Sequence, residues 1–207
     1  MVTSYAFSFL FPWLMAFWVC HSSATRLGLA SGFRARCGVL VGSSLAAAVA
    51  VLLPIRGIPL GRWLAGLNFQ PSLPLLGLAA GLVGQAVFQK TLMSPSDRKA
   101  GWVFGGVMGT VLYPLALGLG NFDPYSLGWS FSALFPIIAM LTLVSMLRSN
   151  RFGWLLLVSV LAYDLRVLES PNFWDYLVDP VYWLLSLAML TLAVLKESRD
   201  RNLRPSA

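Results

Sequence analysis

A chain of 207 residues in which 57% are hydrophobic and only 11% charged is excluded from the ordinary soluble class, where about 25% would be charged. The net charge of +7 then belongs with basic residues that anchor loops on the cytoplasmic side of a membrane, and nucleic acid is not an expected partner. The expected fold is all-α, a polytopic transmembrane helix bundle formed by residues 1–207 as a single integral membrane domain, with membrane lipid around it.

The apolar runs predict seven spans at 4–21, 37–54, 72–90, 101–119, 127–147, 152–168 and 178–195. Each approaches the roughly 20 residues that cross about 30 Å of hydrocarbon, although the sixth is short and its end is open. The first run has the apolar character of a signal peptide but lacks a preceding basic residue and a small-residue cleavage pattern, so it is read as a retained helix. His21 beside Cys20 lacks the further converging ligands that a metal site needs, and no cofactor or metal is expected. Cys20 and Cys37 fall near the cytoplasmic ends of the first two spans, where a structural disulfide is not expected.

Alternate connections are rich and poor in Lys and Arg. Twelve basic residues fall on one side: Arg26, Arg34, Arg36, Lys90, Arg98, Lys99, Arg148, Arg151, Lys196, Arg199, Arg201 and Arg204. Arg56, Arg62 and Arg166 fall on the other. The asymmetry predicts an extracytoplasmic N-terminus and a cytoplasmic C-terminus. Arg outnumbers Lys, 12 to 3, which together with abundant Leu, Ala and Gly points to a GC-rich bacterial source and hence to the inner membrane.

Within the spans, small residues mark seams for close helix approach: Gly42 to Ala50 in the second, Gly77 and Gly81 in the third, Gly101, Gly105 and Gly109 in the fourth. Such seams serve packing within one chain or in a homo-oligomer equally well. Gln85 and Gln89 share a face of the third span and should turn toward another helix, because lipid offers them no partner. Pro114 and Pro136 are expected to kink the fourth and fifth spans. The outer connection after the second span reads as an amphipathic piece lying in the interface, with Trp63 at headgroup level.

Three outer connections share a pattern: Asn68-Phe69-Gln70-Pro71, Asn121-Phe122-Asp123-Pro124 and Asn172-Phe173-Trp174-Asp175. A polar residue before proline suits a helix start, since the side chain meets free N–H groups and proline needs no partner of its own. Asp179-Pro180 repeats the device. The last of these connections also carries the densest charge of the chain: Asp164, Glu169, Asp175 and Asp179 are four of its eight acidic residues, with Arg166 among them and Phe173, Trp174 and Tyr176 alongside.

The candidate contact residues for a partner or ion are therefore Asp164, Arg166, Glu169, Asp175, Asp179, Asp123 and Trp174, with Arg56 and Arg62 as cationic partners across the outer face. No catalytic residue is assigned. An outer surface of aromatic and charged groups suits an accessory or scaffolding subunit that docks a protein partner, for instance in envelope assembly. A small transporter would want polar groups at mid-bilayer, and a membrane enzyme would work through paired outer carboxylates on a lipid-linked substrate. Both stand as alternatives.

Overall fold

The computed structural model describes residues 2–67 and 70–202. Among these residues there are nine α-helices, one two-stranded hairpin and one 3-10 turn, so the fold is all-α apart from that hairpin. The helices are α1 Val2–Arg26, α2 Phe33–Leu52, α3 Leu60–Leu67, α4 Leu73–Phe88, α5 Pro95–Ala116, α6 Leu134–Leu147, α7 Phe152–Asp164, α8 Trp174–Leu177 and α9 Pro180–Asn202. Strands β1 (Pro54–Ile55) and β2 (Ile58–Pro59) pair antiparallel across Arg56-Gly57, both with positive φ.

Each of the seven apolar runs holds one long helix, but their lengths differ. Phe33–Leu52 and Pro180–Arg201 are long and apolar enough to cross a membrane. Leu73–Phe88, Leu134–Leu147 and Phe152–Asp164 are apolar but shorter. At 1.5 Å per residue the 14 residues of α6 cover about 21 Å, less than the hydrocarbon thickness. The fifth run is shortened because residues 127–133 belong to the 3-10 turn Pro124–Gly128 and the bends after it. Pro136 consequently lies in the first turn of α6, where its missing N–H breaks no helical bond and no kink is required of it. The sixth run stops at Asp164, with Leu165 as C-cap and Arg166 at φ 51°, a left-handed conformation that ends the helix.

The main core lies where α4, α5, α6 and α7 meet α8 and the start of α9. Ile138, Phe152, Leu156, Phe173, Tyr176, Leu177 and Tyr182 are all essentially inaccessible there. The α5 glycines explain how α9 approaches so closely. A Cβ on Gly105 would lie 2.7 Å from the Tyr182 ring, and one on Gly109 would lie 2.7 Å from Trp183 Cβ. Gly101 faces Leu78 and Phe152 instead, so one stripe serves two neighbours. Gly77 of α4 faces Leu155 of α7.

On α2 the small residues behave differently from the close packing expected of them. Only Ser43, Ala47 and Val51 are buried, toward α1, while Gly38 and Gly42 have nothing within 4 Å of a built Cβ. Pairs α1 and α2 thus flank the main core, joined to it through Leu14 of α1 and Leu76 and Ala79 of α4. The connection after α2 is the hairpin followed by the short α3, whose Gly61 meets Phe9 of α1 and Val51 of α2. Trp63 Nε1 donates to the Ile55 carbonyl at 3.1 Å and fastens α3 to the hairpin.

Candidate functional site

The site is built at the end of the molecule where residues 70–73, 117–133 and 165–182 come together. Asp179 is its deepest charge. One carboxylate oxygen accepts the backbone N–H (2.8 Å) and the hydroxyl (2.7 Å) of Ser72, the N-cap of α4. The other accepts the Tyr182 N–H at 2.9 Å in the first turn of α9, where Pro180 follows the cap directly. A carboxylate buried to 4% exposure is thereby supplied with donors from two helix starts.

The 3-10 turn and the α8 segment are laced to each other. Asp123 accepts the Tyr125 N–H at 2.9 Å, and Asn172 accepts the Trp174 N–H at 2.9 Å, two local turns of one kind. Asn172 Nδ2 then donates to the Tyr125 carbonyl (3.0 Å), Trp174 Nε1 to the Pro124 carbonyl (2.8 Å) and the Phe173 N–H to the Gly128 carbonyl (2.9 Å). Gly128 has to be glycine in this arrangement, because a Cβ would overlap Asn172 Oδ1. The two connections are thus interlocked turns, but the acceptor is Asp123 in one and Asn172 in the other, and the shared Asn-Phe pair plays no common part in them. The first copy, Asn68-Phe69, lies outside the described residues.

Tyr125 also joins the half-buried Asp175. Its hydroxyl donates to the two carboxylate oxygens at 3.1 and 3.0 Å, and Ser170 donates its hydroxyl to the same group. Burial, then the charge of Asp175, push the Tyr125 hydroxyl well above its ordinary range, so it remains a donor. The Tyr176 hydroxyl, likewise raised chiefly by burial, donates to the Leu168 carbonyl at 2.9 Å and accepts the Leu168 N–H at 3.1 Å. Beneath these bonds the rings of Phe135, Phe173, Tyr163 and Tyr176 form a continuous set with neighbouring centroids 4.5–5.4 Å apart.

The remaining acidic residues face outward. Asp164, Arg166 and Glu169 are exposed and, with Trp129, Tyr163 and Ser170, line an open cleft of about 400 Å³. Phe122, Trp129 and Phe131 are exposed on the neighbouring connection. The nine residues singled out from the sequence therefore divide. Asp123, Trp174, Asp175 and Asp179 hold the end together, whereas Asp164, Arg166 and Glu169 are exposed at its surface. Arg56 and Arg62 are exposed on the hairpin turn and α3. The partners observed for Asp175 are the Tyr125 and Ser170 hydroxyls rather than a guanidinium.

A second polar knot at the opposite end escaped the sequence reading. Ser94 and Asp97 form a reciprocal capping box at the start of α5, with Asp97 receiving the Ser94 N–H at 2.7 Å and returning its own to Ser94 Oγ at 3.1 Å. Asp97 also accepts the Arg151 N–H at 3.0 Å, and the Arg151 guanidinium reaches the carbonyls of Thr91 and Leu92. Burial opposes ionisation of Asp97, but the donors from Ser94 and Arg151 together outweigh it and hold the carboxyl below its ordinary value. Ser94-Pro95-Ser96-Asp97 is the sequence signal that marks the box. Gln85 accepts from Arg98 at 2.9 Å, an interhelical bond as expected, while Gln89 turns back to the Ala86 carbonyl at 2.7 Å.

His21 is buried and stacked on Phe17 at 5.4 Å, Cys20 and Cys37 are free, and among the described residues no group of three or more His, Cys, Asp or Glu is placed to hold a metal ion. Comparison of the chain with protein-family models, curated proteins and solved structures gives no match.

Proposed function

We propose that the chain is a multi-pass protein of a bacterial inner membrane, with its N-terminus outside, and that it serves as an accessory subunit whose outer end docks a protein partner. The observation that carries this reading is the division among the acidic residues: a rigidly hydrogen-bonded base presents Asp164, Arg166 and Glu169 around an open cleft beside Trp129. Aromatic anchors beside charged groups on a pre-formed surface lose little entropy on binding and give specificity through charge placement. The membrane part of the reading draws support from α2, α6 and α9, whose large apolar side chains, Leu45, Val49, Met140, Leu143, Leu184 and Leu192 among them, are exposed in numbers that water does not tolerate on a folded surface.

Affinity purification from native membranes in mild detergent tests the docking role. The comparison is between wild type and an Asp164→Asn/Arg166→Gln/Glu169→Gln variant, whose substitutions all lie at exposed positions. A companion protein present at a fixed ratio in wild type and lost from an equally abundant variant supports the reading. A chain that elutes alone, or with the same companions in both forms, overturns it.

A further inference from the structure

At the opposite end of the bundle, α6 packs on α7 and α5 packs on α9, which leaves a cleft of about 390 Å³ between α5 and α6, floored by α7. Val103 and Val107 line one wall, Leu141 and Val144 the other, and buried Phe152 forms part of the floor. The wall residues are three or four apart, so each wall is one continuous helix face. All four wall side chains are more than a third exposed although apolar, and the cleft ends at the side chain of Arg148, the C-cap of α6. From Leu141 to Arg148 the helix rises about 10 Å, a groove with an oily length and a cationic end.

We infer that this cleft holds an anionic glycerophospholipid, one acyl chain lying between α5 and α6 and the phosphate at Arg148. The assignment rests on the membrane reading above and on charge complementarity. Arg98, Lys99 and Arg151 lie at the same end as Arg148; of the carboxylates there, Asp97 is already engaged by Ser94 and Arg151, and Glu197 of α9, within electrostatic reach of Lys99, is paired with Arg201 at 2.6 Å. A basic pocket between helices at the cytoplasmic boundary attracts acidic headgroups, and a guanidinium can donate two bonds to one phosphate. A protein helix in the groove would leave that cation to a polar side chain, whereas a phospholipid supplies both halves of the chemistry in one molecule.

The test uses the full chain in detergent micelles, with dioleoyl phosphatidylglycerol and dioleoyl phosphatidylcholine added separately and bound lipid read by native mass spectrometry. Phosphatidylglycerol is expected to bind one per chain, about fivefold more tightly than phosphatidylcholine, the effect of one surface cation. Arg148→Gln removes that preference, Arg148→Lys retains it, and Val107→Trp, which fills the cleft from an exposed position, weakens both lipids. Equal binding of the two lipids by wild type, a preference that survives Arg148→Gln, or binding unaffected by Val107→Trp overturns the assignment. Matching heat-unfolding curves for the variants establish that they fold. Release of wild type from membranes by alkaline washing without detergent removes the membrane reading itself and the lipid assignment with it, a failure distinct from loss of headgroup preference.

Discussion

The carboxylate of Asp179 is asked to do at one point what two capping residues do in most helical proteins. It receives Ser72 at the start of α4 and Tyr182 at the start of α9 in a site that water does not reach. Asp179→Ala leaves these donors buried and unmet, and a loss of about 3 kcal/mol is expected in denaturant unfolding of the detergent-solubilised protein. Asp175→Asn is expected to be far milder, because the amide oxygen still accepts from Tyr125 and Ser170. An equal loss in both variants would contradict this ranking. Asp97 gives a pH dependence of definite sign. Its folded value lies below the ordinary 3.8, so its contribution is complete above that pH and is lost as the pH falls through the lowered value. Unfolding followed from about pH 5 to about pH 3 should show a decline in wild type that Asp97→Asn reduces.

Helix contacts make a second set of demands, and glycine position decides them. Gly105→Ala and Gly109→Ala drive a methyl group into Tyr182 and Trp183, so α5 and α9 must separate, at a cost of about 1–3 kcal/mol. Gly42→Ala on α2 meets open space and should leave stability unchanged or raise it slightly. Thermal unfolding of the three variants checks the contrast. The same elements show how far the sequence could be read. Asp179-Pro180 announced a capped helix start, and the spacing of the α5 glycines announced a seam, because both are local patterns with local physics. The end of α7 at Asp164 and the late start of α6 were not legible. Residues 165–168 are about as apolar as the helix they follow, and what turns both this segment and residues 127–133 away is bonding to the α8 side, the Phe173 N–H to the Gly128 carbonyl and the Tyr176 hydroxyl with Leu168. The first joins residues 45 positions apart, beyond any window along the chain, and the second is 8 positions apart but depends on how the α8 segment folds back. For the same reason Trp174 and Asp175 resembled exposed interfacial residues while acting as internal ties.

Taken as one object, the molecule has two ends of different character, a locked aromatic and acidic end and a basic end. Orientation in the membrane is tested in a background lacking Cys20 and Cys37, with single cysteines at Phe131, which is 85% exposed, and at Ser149 on the turn after α6. A membrane-impermeant maleimide should label position 131 in intact cells and position 149 only after permeabilisation. Reversed labelling would invert the proposed orientation and move the docking surface to the cytoplasm.

The pairing of Ser72 with Asp179 spans 107 residues, and this separation has a consequence for biosynthesis. While the ribosome is still making α5, α6 and α7, the start of α4 has a polar end with its intended acceptor not yet made. The buried Ser72 amide and hydroxyl must borrow water or lipid headgroups until the last hairpin emerges. Partial chains are thereby left recognisably incomplete, and chains that stop short of Asp179 should be substrates for membrane proteases even though six of the seven long helices are already present. Completion of the final helix closes the first half of the bundle as well as the second.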